Sequence, residues 1–194
     1  MPSIPAPAEL QARCTILREG SRSSTVSVPI TLPTGEQVGL GLASFSRVPR
    51  RPTDPPKFDL NLEELAASWA GIPPLPVPLA EAADIEVIDA AAGTVEVPLA
   101  QKLLNPAGAL QGAMVGLIAE VAAEEMVAAA LGRPQVVTDL DIRYLAQARQ
   151  GPIRTRSMFI GPPSDGSVAV ELVDTTLYKV VTVVTLRTHD APQL

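Results

Sequence analysis

The sequence predicts an α+β domain in which an antiparallel sheet wraps around one long central helix, with an N-terminal β-hairpin extension in front. Three observations carry this. One segment, about 109–131, is long and apolar on nearly every side, the pattern of a helix buried all round. Two alternating strand-like runs precede it and four follow it. The connections between those runs are short, so neighbours should pair antiparallel and curl over the helix.

The elements follow in order. Residues 25–47, "TVSVPITLPTGEQVGLGLASFSR", are two alternating runs around "PTGE", with glycine where a turn needs it. "VPRRPTDPPKF" (48–58) is a linker, because repeated proline blocks both helix and ladder pairing. "DLNLEELAASWAG" (59–71) is a short helix with Asn61 as its cap and Glu64 three residues on. The proline cluster "PPLPVPLA" (73–80) closes this part. "DIEVID" and "TVEVPLA" then form a hairpin through "AAAG", and the helix from about Ala109 to Leu131 follows, stopped by Gly132 and Pro134. Four strands complete the chain: "VVTDLDIRYL", "IRTRSMFIG", "VAVELVD" and "LYKVVTVVTLRT". The expected division is an extension and linker over 1–58 and the main domain over 59–194. Residues 14–47 share the strand–strand–strand rhythm of 157–188. They are either a half-copy without its own helix or a chance likeness between Val-rich hairpins.

Composition narrows the function. The 194 residues are 46% hydrophobic but only 3% aromatic, so the interior is aliphatic and rich in alanine. A net charge of −6 argues against a general nucleic-acid binder. The charge is uneven, with eleven acidic residues against one lysine in 59–132 and five arginines against two aspartates in 133–156. That arginine group is either a site for an anionic ligand or scattered surface charge. The single cysteine, Cys14, forms no internal disulfide, and no zinc-type Cys/His spacing occurs, so neither a metal nor a bound cofactor is expected. No signal peptide or membrane-length apolar run is read, and a cytoplasmic location without a membrane partner is the expectation.

The stretch "NPAGALQGAMVGLIAE" (105–120) holds the chemistry. Its spacing, with Asn105, Gly108, Gln111-Gly112-Ala113 and Glu120, resembles the hot-dog-fold acyl-CoA thioesterases of the phenylacetate-degradation type. That family's pattern has an Asn, a Gly three residues on, a His-Gly-Gly and an acidic residue at the fifteenth position. The resemblance spans residues 75–188, about 60% of the chain. Two positions depart from it: Gln111 stands where histidine is usual, and Ala113 replaces the second glycine. The resemblance implies a hot-dog fold, acyl-CoA hydrolysis, and active sites built between subunits of a homodimer or homotetramer. It further implies that Asn105 orients the water or the carbonyl and that Thr138 holds the nucleophilic water. Gln111 would donate a hydrogen bond in place of histidine, and Glu124 would be a second polar group one turn beyond Glu120.

Elementary chemistry supports the same assignment. The N–H groups at a helix start are unpaired and lie at the positive end of the dipole, so the Gly112 N–H suits an oxyanion. A glutamate among apolar residues has a raised pKa and is a stronger base, which suits Glu120. The alternative for Glu120, Glu124 and Glu125 is the solvated face of a helix, and for Asn105-Pro106 a simple turn. Gly112 and Glu120 lie about 12 Å apart along one helix, so one chain does not easily bring both to one carbonyl, whereas two antiparallel copies across a two-fold axis can. Coenzyme A, as part of the substrate, carries phosphates that suit arginine forks. Arg143, Arg149, Arg154 and Arg156 are the candidates as a group, and Arg154 and Arg156 alternate onto one strand face. His189, the only histidine, is read as an exposed residue beyond the last strand, which disfavours histidine-dependent chemistry. The rival reading is a non-catalytic module of the same fold that binds an acyl-CoA or a protein.

Overall fold

A computed structural model describes residues 9–47, 61–69 and 73–192, and the chain divides into two units, 1–70 and 71–194. The proline-rich linker read at 48–58 lies outside the described residues.

In the first unit β1 (Gln11–Ala12) and β2 (Thr15–Glu19) lie end to end along one edge of β3 (Ser23–Thr31). β4 (Gln37–Ser46) pairs with the other edge through the turn expected at "PTGE". The register places Ala12, Ile16, Val26, Val28, Ile30 and Phe45 on one face. Among the described residues of this sheet none is buried. Helix α1 (Leu62–Trp69) starts as expected: Asn61 Oδ1 accepts the N–H groups of Glu63 and Glu64, at 3.1 and 3.3 Å.

The second unit opens with one helical turn, α2 (Leu79–Ala82), and the hairpin β5 (Glu86–Asp89) and β6 (Thr94–Val97). Helix α3 (Gly112–Leu131) then crosses to β7 (Gln135–Tyr144), and β8 (Ile153–Phe159), β9 (Ser167–Asp174) and β10 (Lys179–Asp190) follow. The six strands form one antiparallel sheet in the order β5-β6-β8-β9-β10-β7. The meander β8-β9-β10 and the N-terminal meander β2-β3-β4 share the same three-strand antiparallel plan.

The sheet closes around α3. Ile118, Ala119, Ala122, Ala123 and Val127 are buried against Val95, Ile153, Val170, Leu172 and Val184. Alanines on the helix let the sheet approach closely, so aliphatic strand residues fill the interior without aromatic rings. Each fully buried Ile, Leu or Val contributes about 1.5–3 kcal/mol. The helix ends as its sequence dictates: Gly132 takes φ 68° and its N–H closes onto Ala128 O.

Two expectations are corrected. The helix begins at Gly112, three residues later than read, because 105–111 is held out of it. Leu104 and Leu110 form a β-bridge, Gln111 N–H donates to Leu103 O, and Leu110 N–H donates to Ala148 O. His189 lies within β10, opposite Val136, and is not beyond the strand; it is exposed. The strand runs on because Ala191 N–H bonds Pro134 O and Asp190 pairs with Arg133.

Candidate active site

Asn105 builds the loop in front of α3. Its Oδ1 accepts from the N–H groups of Ala107 (2.9 Å) and Ala109 (3.2 Å), and its own N–H donates to Ala109 O. The side-chain oxygen is thus committed to the loop, and what Asn105 offers a ligand is its amide N–H. Gln111 is the helix cap: its Oε1 accepts from Ala113 N–H (3.0 Å) and Met114 N–H (3.3 Å). Two of the orphan donors at the helix start are therefore satisfied by Gln111, and among the described residues the Gly112 N–H has no acceptor.

Beside this start lies a cavity of about 420 Å³, bordered by Asn105, Gly112, Val115, Tyr144, Gln147 and Thr182 among others. Its size falls in the range of small-molecule sites. Tyr144 stands over Gly112: its hydroxyl donates to Gly112 O at 3.4 Å, and a Cβ built on Gly112 would stand 3.0 Å from it. A bare glycine leaves the approach to the N–H open. Burial pushes the Tyr144 hydroxyl above its ordinary range.

Glu120 lies two turns along α3 in a different setting. Residues 114, 117, 120, 121, 124 and 128 are partly exposed positions of the helix, with buried ones between them. Leu117, Glu120, Val121 and Glu124 form the middle of this stripe. Burial raises the Glu120 carboxyl above the ordinary carboxylate range. Glu124 is raised as well, by burial first and then by the charges of Glu120 and Glu125, against a lowering hydrogen bond from Val137 N–H. That bond, 2.9 Å to Glu124 Oε1, docks Glu124 on β7 beside Thr138. Thr138 sits where the β7–β10 register slips between Arg187 and Thr188, and its Oγ1 donates to Arg187 O at 3.3 Å.

The candidate residues therefore fall into two groups. Asn105, Gln111 and Gly112 meet at the helix start, while Glu120, Glu124 and Thr138 gather along the helix and β7. The four arginines separate likewise. Arg154 pairs with Glu96 at 2.7 Å and Arg156 with Glu171 at 2.9 Å, as cross-strand neighbours in which the arginine side chains are exposed. Arg143 is paired with Asp141. Arg149 has no carboxylate partner among the described residues. Its Nε donates to Gln147 Oε1 at 2.9 Å, and Nη1 would be 3.9 Å from a Cβ on Gly108, in the Asn105 loop. The unneutralised cation is thus the one beside the cavity.

Three residues that shape this region carried no sequence signal: Tyr144, Thr182 and Asp174. Asp174 is fully buried at the end of β9. Burial alone would raise its carboxyl, but the N–H groups of Gly151, Gln150, Leu177 and Arg149 outweigh that and hold it below its usual range. It fixes the 147–152 loop that borders the cavity. Asp174→Asn is expected to cost roughly 1–3 kcal/mol in denaturant unfolding at about pH 7. The folded carboxyl titrates below the unfolded one, so its contribution is complete above the ordinary Asp value and is lost as pH falls through the lowered one. The gap between variant and wild type should therefore narrow as pH falls below the ordinary Asp range and close below the lowered Asp174 value. A gap independent of pH would show that the carboxylate's charge is not what holds the loop.

The fold is the hot-dog fold. Among solved structures sharing it is the PaaI protein of the phenylacetic acid degradation operon of E. coli: 18% identical, covering 68% of this chain and 93% of that one, TM-score 0.51. A glutamine-to-alanine variant of a thioesterase enzyme from Staphylococcus aureus is 15% identical, covering 59% and 98%, TM-score 0.53. A thioesterase-superfamily protein is 16% identical, covering 60% and 90%, TM-score 0.52. At these identities the shared property is the fold. No family model matches the sequence, and a comparison with curated proteins finds no match. Among the described residues no helix is long and apolar enough to cross a membrane, and no group of His, Cys, Asp or Glu is placed to hold a metal.

Proposed function

We propose that this chain hydrolyses acyl-CoA thioesters with a site shared between two copies. The carrying observation is the division of labour along α3. Gly112, whose N–H has no acceptor among the described residues, lines a cavity at its start, and Glu120, raised by burial, lies two turns on in a partly uncovered stripe. In the proposed reaction the thioester carbonyl sits on Gly112 N–H, and Glu120 of the second copy takes a proton from the attacking water. Asn105 and Thr138 orient carbonyl and water, Gln111 keeps the helix start rigid, and Arg149 receives a phosphate of coenzyme A. No cofactor takes part, and coenzyme A enters only as substrate.

The sheet order supports the second copy. It ends on β7, whose ten residues leave one row of backbone donors and acceptors without a partner strand among the described residues. Pairing of two β7 edges about a two-fold axis would set the two helices antiparallel, one start beside the other's Glu120. Free-thiol release from a panel of acyl-CoA esters, run with light scattering for mass, tests this. The expected result is hydrolysis by a dimer or a larger even assembly, and turnover by a stable monomer would remove the shared site.

Gln111 favours a second reading, a binding module. An amide neither gives nor takes a proton near neutral pH, and its oxygen is already spent on capping. Thermal stabilisation by acyl-CoA without thiol release would select that reading.

A further inference from the structure

Thr182 is an outlier within its strand. It interrupts the run "VVTVV" and is 1% exposed, yet its side chain makes no hydrogen bond among the described residues. The other buried threonines are satisfied: Thr155 Oγ1 bonds Gly93 O and Val95 N–H at 2.8 Å, and Thr188 Oγ1 bonds Gln135 at 3.2 Å. Valine has nearly the same shape and would spare a buried hydroxyl its lost hydration, so threonine here needs a reason.

The cavity supplies one. Thr182 borders it, directly across the β7–β10 ladder from Tyr144. No enclosed side-chain polar atom among the described residues lacks a partner, so this unbonded hydroxyl is reached from the cavity. The other side-chain oxygens there are engaged: Asn105 Oδ1 in its loop, Gln147 Oε1 with Arg149, and the Tyr144 hydroxyl with Gly112 O. Around them the walls are apolar, with Ala109, Leu110 and Val115.

We infer that Thr182 is a specificity-determining residue: the cavity takes the acyl group of the substrate, and Thr182 hydrogen-bonds a hydroxyl or carbonyl oxygen carried on that group. This rests on the acyl-CoA reading above. A carbonyl held at Gly112 N–H sends one substituent into the cavity and the other outward. Arg149, the exposed cation, marks the outward side as the coenzyme, which leaves the acyl group for the cavity that Thr182 borders. A site that offers one unpaired hydroxyl in an apolar wall discriminates by a single oxygen atom.

The test measures binding by calorimetry on full-length chain carrying Glu120→Gln, so that affinity is read whether or not turnover occurs. The probes are hexanoyl-CoA and its monohydroxylated isomers. The expected result is that at least one isomer binds about tenfold more tightly than hexanoyl-CoA, that Thr182→Val brings that ratio to about one, and that Thr182→Ser preserves it. Equal affinity for all probes would overturn the inference. So would a ratio that survives in the valine variant, the pattern expected if Thr182 met the pantetheine arm common to every probe. If the ratio behaves as expected while the chain with Glu120 intact releases no thiol from the same esters, hydrolysis falls and the acyl cavity stands. If no CoA ester binds, both fall.

Discussion

Glu120→Gln is expected to lower thiol release from acyl-CoA by roughly 10²–10⁴-fold, the usual contribution of a general base, while the chain stays folded. Glutamine keeps the shape and removes the ionisable group. A base must be ionised to act, so wild-type kcat/KM should fall as pH drops through the Glu120 pKa. Burial raises that value, so the acid limb should lie above the ordinary glutamate range. Stability should move the opposite way. The folded carboxyl titrates above the unfolded one, so the ionised wild type is penalised near neutral pH. The glutamine variant should therefore be as stable there or more so, with the difference vanishing below the ordinary glutamate range. Unchanged turnover in the variant, or an acid limb that survives the substitution, would remove Glu120 from the mechanism.

The second large effect is expected at the helix start. Gly112→Pro deletes the one N–H that the cap leaves free, at the first helical position, where proline is tolerated. The preceding residue already has a suitable conformation, because Gln111 holds φ −70° and ψ 140°. The new ring presses on the Tyr144 hydroxyl, the far end of a side chain that can turn away. The fold should survive and kcat should drop by roughly 10²–10³-fold. Gly112→Ala keeps the N–H and separates crowding from loss of the donor; an equal loss in both variants would assign the effect to crowding. Co-expression with Glu120→Gln then reports on the shared site. If each site takes Gly112 from one chain and Glu120 from the other, mixed dimers hold one intact site. Random mixing should then restore about a quarter of wild-type turnover, since about half the dimers are mixed. No recovery would place both groups in a single chain.

Much of the fold was legible because it rests on local rules. The run from 112 to 131, apolar on nearly every side, can only be central, Gly132 stops it, and the alternating runs on either side must pair. Asn61 and Glu64 marked the start of a helix through capping chemistry. The start of α3 was misjudged because a β-bridge and a bond to Ala148, thirty-eight residues away from Leu110, override local propensity. The arginines show the same limit. Alternation along β8 correctly put Arg154 and Arg156 on one face, but only the neighbouring strands reveal that this face carries Glu96 and Glu171.

What the sequence by itself determined is the set of groups and their order along the chain: an apolar helix, a small residue at its start, and a carboxylate eight residues later. Helical rise and hydrophobic periodicity are local, so spacing alone fixes them. What only the tertiary structure decided is which of those groups remain unpaired. Gln111 spends its oxygen on the cap, Arg149 alone among the four candidates keeps its charge unneutralised, and Thr182, one threonine in a valine run, ends with a bare hydroxyl at a cavity. Whether a donor or a charge is free depends on what the fold brings within about 3 Å of it, and those partners come from distant parts of the chain.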